Sequence, residues 1–152
     1  MGASSSVSIP CGNKKKDNTY LSYTAGDMNA EVMHEELLNS GYNIVNENFQ
    51  RECSFTIKEY QELVKDIMSQ SKTIIVCVSE KTVMSFSQAI EINIALDKND
   101  TNIVYIFTDE DFTPTNMPYL KGLVGYNIWL PAYDATTMST AIETMETYGM
   151  LS

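Results

Sequence analysis

Five short β-rich segments alternate with longer segments of helical pattern, and this alternation constrains the fold more than any other feature of the chain. The predicted strands are TYLSYT, YNIVN, TIIVCVS, NIVYIFT and NIWL. The third and fourth are almost continuously apolar, which is typical of strands covered by helices on both faces. The predicted helices cover residues 29–40, 56–70, 84–98, 117–123 and 134–147, and Gly41 is placed to end the first.

This order of elements predicts an α/β fold with a five-stranded parallel sheet. Right-handed crossovers place helices on both faces, and the flavodoxin-like strand order 2-1-3-4-5 is the common solution. Ligands of such sheets bind at the carboxyl ends of the strands, near the switch point between strands one and three. That edge contains Ser22, Tyr23, Thr24, the loop after Val45 and the segment that begins at Ser79.

The charge of the chain is unevenly distributed. Of the formal net charge of -10, the first sixteen residues contribute three lysines, Lys14, Lys15 and Lys16, and no acid, so residues 17–152 carry -13. Because such an acidic body repels phosphate backbones, we expect no nucleic-acid partner. The three cysteines form neither a CxxC pair nor a disulfide framework, and this favours a reducing, cytoplasmic location.

The chain opens with MGASSSVSIPCGNKKK, which matches the N-myristoylation pattern with Gly2 as the acceptor. Cys11 is a candidate for palmitoylation, and each lysine adds about 1 kcal/mol of attraction to anionic lipid. We therefore predict that residues 1–17 are a disordered segment that tethers the protein to the cytoplasmic face of an anionic membrane, and that residues 18–152 form one domain. The alternative is a Ser-rich tail in which the acylation pattern is coincidental.

Several kinds of chemistry are absent. The single histidine, His34, is predicted to be a solvated helix residue, and no GxxxxGK or GxGxxG loop occurs. A phosphorylated receiver domain needs acidic groups at the ends of strands one and three. Because only Glu80 is acidic there, we reject a receiver domain. The acids Asp109–Asp111 are predicted to form a solvated loop, so we expect no metal site.

The segment YLSYTAGD, from Tyr20 to Asp27, resembles the first conserved box of Toll/interleukin-1 receptor (TIR) domains. LLNSGYNIVNE and QSKTIIVCVSEKTVMSFSQAIEINIAL resemble later parts of that family, so the likeness covers about residues 18–148. The family's third helix often opens as Ser-x-Trp-Cys-x-x-Glu. Ser85 and Glu91 hold the first and last of these places, whereas Ser87 and Gln88 replace the Trp and Cys.

The resemblance implies one of two functions in signal transduction of the innate immune type. TIR domains are either adaptors that assemble with themselves or other TIR proteins, or enzymes that cleave NAD+ at the nicotinamide-ribose bond. For an enzyme, the resemblance implies that Glu91 is catalytic and that NAD+ is a substrate, with no cofactor. The candidate substrate contacts are Ser22, Tyr23, Thr24, Phe49 and Ser87.

Two alternatives remain open from the sequence. One is a membrane-tethered adaptor or scaffold without activity, whose association surface includes the segment NENFQRECSFTI; this segment lacks the Pro-Gly pair common in the family's BB loop. The other concerns Glu91, which without the family resemblance is predicted to face water on a helical stripe with Ser87 and Ala95. Trp129 is predicted to pack in the core, and Tyr133 to lie at the mouth of a pocket.

Overall fold

The computed structural model describes residues 18–46, 56–98, 101–112 and 128–151. Five parallel strands form one sheet: β1 (Asn18–Ser22), β2 (Ile44–Val45), β3 (Ser71–Val78), β4 (Asn102–Phe107) and β5 (Ile128–Pro131). Their order is β2-β1-β3-β4-β5, so the predicted class and topology are confirmed. β1 pairs with both β2 and β3, which places the switch point at its carboxyl end, as predicted.

Four α-helices lie in the described ranges: α1 (Met28–Asn39), α2 (Ile57–Ser69), α3 (Phe86–Leu96) and α4 (Ala135–Thr147). α3 begins two residues later than predicted, because a 3-10 helix, Glu80–Met84, follows β3 and Ser85 then caps α3. The predicted helix at 117–123 lies outside the described residues. Over the ranges that the structure describes, none of the helices has the length and apolar character needed to span a bilayer.

Side-chain caps fix where the helices begin. The Thr56 hydroxyl accepts from Glu59 N while the Glu59 carboxylate accepts from Thr56 N, a reciprocal capping box at the start of α2. Asp134 caps α4 in a similar way. A glycine marks the end of α1. Gly41, two residues after the helix, adopts φ +89°, a left-handed conformation that L side chains rarely adopt. Each cap contributes about 1 kcal/mol and sets the register of the helix against the sheet.

The sheet separates two apolar clusters. Because successive strand residues point to opposite faces, Tyr20 packs with α2 and α3, whereas Leu21 packs with α1 and α4. Trp129 packs against the first cluster, with its ring centroid 4.3 Å from that of Tyr105, so its predicted core role is confirmed. Ser22 shares the face of Tyr20, and its side chain therefore meets α3.

Candidate active site

A cleft opens at the carboxyl edge of the sheet, where the segments after β1, β3 and β4 come together. Its volume is about 1070 Å³, at the upper end of the range for sites that hold small molecules. Thr24 lines it from the β1 side, Ser79 from β3 and Thr108 from β4. The cleft thus lies at the switch point, where ligands of parallel α/β sheets bind.

Glu91 lies behind the wall of this cleft and is only 3% exposed. The Ser22 hydroxyl donates to Glu91 Oε1 at 2.5 Å, and the Tyr60 hydroxyl donates to Oε2. The interpretation that Glu91 faces water is wrong, because α3 turns Glu91 and Ala95 toward the sheet and both are buried. A carboxylate removed from water needs such donors to replace its hydration.

Tyr60 connects Glu91 to the cleft. It belongs to the buried stripe of α2, with Val64 and Met68, yet its side chain also lines the cleft. The sequence predictions did not include Tyr60. Its position in the first turn of α2 could have identified it, because a crossover helix begins at the carboxyl edge of the sheet. The first residue of such a helix that faces the sheet therefore lies near the switch point.

Gln88 is a second site residue that the sequence predictions did not include. It lies one turn before Glu91 on the buried face of α3. Its amide nitrogen donates to Cys77 O at 2.7 Å and Ser22 O at 3.2 Å, and its amide oxygen accepts from the Thr24 hydroxyl at 2.7 Å. Gln88 therefore joins the carboxyl ends of strands β1 and β3, and it holds Thr24 in the cleft wall.

Asp27 fastens the start of α1 to the end of β4. Its Oδ1 accepts from Ala30 N, which caps the helix, and its Oδ2 accepts from the Thr108 hydroxyl at 2.6 Å. Asn29 adds bonds to the carbonyl oxygens of Thr108 and Tyr133. Burial raises the pKa of Asp27, and the bonds from Thr108 and Ala30 oppose this shift.

Acidic groups surround the cleft. Glu80, Asp109 and Glu110 line it, and Lys81 is the one cation among its described lining residues. Asp111 is exposed, and its backbone N–H donates to Asp109 Oδ1, which closes a local turn. In the described part of the chain, no group of three His, Cys, Asp or Glu side chains is placed to hold a metal ion.

Three of the predicted substrate contacts lie at this site. Thr24 and Ser87 line the cleft, and Ser22 lies behind its wall with Glu91. Tyr133 also lines the cleft. Phe49 and the rest of the BB-loop region at 47–55 lie outside the described residues, as do the acylation candidates Gly2 and Cys11.

Tyr23 lies on the opposite face of the sheet from Glu91. Its hydroxyl is 3.0 Å from His34 Nδ1, and the two rings meet edge to face. The prediction of a solvated His34 is wrong, because the ring is partly buried against Tyr23. Burial lowers the pKa of His34, with the Glu35 carboxylate acting in the opposite direction.

Large apolar side chains are exposed around the mouth of the cleft. Met28, Ile57, Met84 and Phe86 all line it, with exposed fractions of 69%, 54%, 86% and 64%. We refer to these four residues as the apolar rim. Large apolar side chains exposed around one cleft are typical of interaction sites in soluble domains.

Comparison with known proteins agrees with the fold. The sequence profile of the family described as "Thoeris protein ThsB, TIR-like domain" matches residues 20–112, a range that includes Ser22, Tyr60 and Glu91. The TIR domains of "the activated Roq1 resistosome directly recognizing the pathogen effector XopQ" superpose with a TM-score of 0.51 at 13% sequence identity, covering 85% of this chain and 70% of that one. No curated protein matches significantly.

The pKa of Asp27 predicts how stability changes with pH. Because the folded-state pKa is raised, folding favours the protonated carboxyl, and the stability present below the unfolded-state pKa is lost as pH rises through the folded-state pKa. Asp27→Asn has no such titration. Urea unfolding over a pH series that begins below the ordinary pKa of an aspartate, about 3.9, should show the variant gaining stability relative to the wild type as pH rises. A constant difference between the two proteins contradicts this expectation.

Proposed function

The chain belongs to the TIR-like domain family of Thoeris protein ThsB, and from this membership we propose that it is a TIR signalling protein that cleaves the nicotinamide-ribose bond of NAD+ with Glu91. TIR domains typically self-associate or assemble with other TIR proteins. The observation that carries the enzymatic part is a buried carboxylate, held by two hydroxyl groups, behind a cleft at the switch point of the sheet.

The reaction needs only one carboxylate. Cleavage breaks the bond between C1′ of the ribose and the pyridinium nitrogen, and the electron pair stays with nitrogen, so nicotinamide leaves as a neutral molecule. Glycosidases usually need a second carboxylic acid to protonate an alkoxide leaving group, and here none is required. Water then adds to C1′ and loses a proton, which gives ADP-ribose.

Glu91 would stabilise the positive charge that develops on the ribose. At an effective dielectric constant of about 20, a carboxylate about 4 Å from that charge contributes about 4 kcal/mol, or about a thousandfold in rate. This gain requires an interaction that is stronger in the transition state than in the bound substrate. The neutral cleft residues Thr24 and Ser87 are suited to orient the ribose hydroxyls.

The ribose must replace a donor of Glu91 to reach it. Both carboxylate oxygens accept bonds from protein hydroxyls, and of the two described donors Tyr60 is the one that lines the cleft. A ribose hydroxyl offers the same O–H donor as Tyr60, so the exchange conserves the number of bonds to the carboxylate. We therefore assign Tyr60 as a positioning residue, which holds Glu91 before the substrate binds.

The apolar rim supports a second candidate function, in which the protein is a non-enzymatic TIR scaffold. Four exposed large side chains around one cleft are typical of a protein interface, and a substrate site does not require them. In this alternative Glu91 has a structural role in the α3 contact with β1. Assembly through the rim and catalysis are also compatible, because each needs different residues.

The N-terminal segment supports tethering to a membrane. Gly2, Cys11 and the three lysines supply separate weak signals, and at least two are needed for stable anchoring. Confinement to a surface raises the effective concentration of a weakly associating domain. We propose that acylation at Gly2 promotes TIR assembly on the cytoplasmic face of a membrane.

The carboxylate of Glu91 is tested by Glu91→Gln, which preserves side-chain volume and removes the charge. Purified protein at high concentration should release nicotinamide from NAD+, and the variant should lose about a thousandfold in kcat. Glu62→Gln, an exposed change on α2, is the matched control and should retain full activity. Absence of nicotinamide release from the artificially clustered wild type would leave the scaffold as the function.

The role of Tyr60 is tested by Tyr60→Phe, which keeps the ring and deletes the donor. Without the Tyr60 donor, Glu91 is less well positioned before the substrate binds, whereas a ribose hydroxyl still supplies a donor in the complex. We therefore expect kcat/KM to fall about tenfold, as for the loss of one hydrogen bond to a charged group, with a smaller change in kcat. Tyr42→Phe is the control, because Tyr42 donates to Glu146 on an exposed surface. Equal kcat/KM values for Tyr60→Phe and the wild type would show that the bond has no part in catalysis.

Tethering is tested with Gly2→Ala in cells that carry an N-myristoyltransferase. The variant should lose myristate incorporation and move from the membrane fraction to the soluble fraction. Ser5→Ala changes a neighbouring position that the acylation pattern leaves open, and it should behave as the wild type. An unchanged distribution of Gly2→Ala would remove acylation from the proposal.

A further inference from the structure

NAD+ presents a second recognition problem besides its ribose, namely a pyrophosphate that carries two negative charges. The chain has neither of the glycine-rich loops that usually bind such groups. The described cleft lining contains the carboxylates of Glu80, Asp109 and Glu110, which repel phosphate. A site for a dinucleotide therefore needs a cation placed among them.

Lys81 is that cation. It lies in the 3-10 helix that follows β3, where its backbone N–H donates to the Ser79 hydroxyl. Its Cδ and Cε lie 3.7 Å from the position of a Cβ added at Gly26, so the aliphatic part of the side chain lies beside the turn after β1. The residue is exposed, and its ammonium forms no ion pair with any described residue.

We propose that Lys81 binds the pyrophosphate of the substrate and that Glu80, Asp109 and Glu110 exclude ligands with further phosphates. This inference rests on the proposed function and specifies its substrate class. NAD+ and its product ADP-ribose place one pyrophosphate beside Lys81. A nucleotide with an additional 2′-phosphate adds two negative charges to an acidic cleft that has one described cation, on a body of charge -13.

The glycine at position 26 agrees with this arrangement. Its φ of +94° turns the chain sharply after β1, and its missing side chain leaves open the space beside the Lys81 stem. The loop therefore lets a long cationic side chain lie across the cleft between β1 and β3. Thr24, which Gln88 holds by a hydrogen bond, lines the same cleft as Lys81.

The test measures binding by calorimetry, so that it does not depend on turnover. The probes are ADP-ribose, 2′-phospho-ADP-ribose and nicotinamide riboside, which has no phosphate and carries a positive charge. The proteins are the wild type, Lys81→Gln and Lys65→Gln. Lys65 is exposed on α2 and does not line the cleft, so its variant is a matched control for the loss of one charge.

We expect Lys81→Gln to weaken ADP-ribose binding about tenfold or more, as for the loss of a charge-assisted bond. The variant should not weaken the binding of nicotinamide riboside, because this cation gains nothing from the Lys81 ammonium. Lys65→Gln should bind all three probes as the wild type does. The wild type should bind 2′-phospho-ADP-ribose at least about tenfold more weakly than ADP-ribose, with a smaller difference at high salt.

Equal weakening of ADP-ribose and of nicotinamide riboside, which has no phosphate, would assign Lys81 a structural role and overturn the inference. Undetectable binding of ADP-ribose, or equal affinity for its 2′-phosphorylated form, would also overturn it. Lys81-dependent binding of ADP-ribose without nicotinamide release from NAD+ would preserve the inference and refute the proposed function, so the two failures are distinguishable.

Discussion

The architecture of the site depends on one constraint: a carboxylate is buried between a helix and a parallel sheet and must be solvated by the protein. Glu91 meets this constraint through the hydroxyls of Ser22, at the end of β1, and Tyr60, in the first turn of α2. An uncompensated buried charge costs several kcal/mol. The three elements are therefore held in one register, and the cleft forms where they meet.

The same polar layer gives the cleft its shape. Gln88 joins the carbonyl groups at the ends of β1 and β3, and Asp27 joins α1 to β4 through Thr108. Below this layer, toward the opposite edge of the sheet, α3 presents apolar residues such as Ile92 and Ala95. Polar groups buried at one edge of an apolar core are expected at functional sites more than in the packing of a core.

The sequence predicts the fold well because its signals are local. The apolar runs of β3 and β4, the caps and Gly41 each act over a few residues, and together they leave few topologies. The site is harder to predict, because its contacts are distant in sequence. Ser22 lies 69 positions from Glu91, and Tyr60 lies 31 positions from it. Helical periodicity alone predicts that Glu91 faces water, on a stripe with Ser87. In the structure, Glu91 shares the buried face of α3 with Gln88. His34 was also misassigned, because its partner Tyr23 lies in another element.

The cleft has both charged lining residues and an exposed apolar rim. In our proposals the acidic lining with its one described cation would select among ligands, and the apolar rim would offer a surface to another domain. Neither feature contributes to the core, so both are free to serve function. Confinement by an acylated N-terminus would act on the rim, through effective concentration, without altering the chemistry at Glu91.

The proposed role of Glu91 is tested most directly by a crystal structure of the protein with a non-cleavable NAD+ analogue. We expect a ribose hydroxyl within hydrogen-bond distance of Glu91, with the Tyr60 hydroxyl displaced from the carboxylate. An analogue bound in the cleft with the bond between Tyr60 and Glu91 intact, and the ribose separated from Glu91 by the Tyr60 ring, would contradict this role.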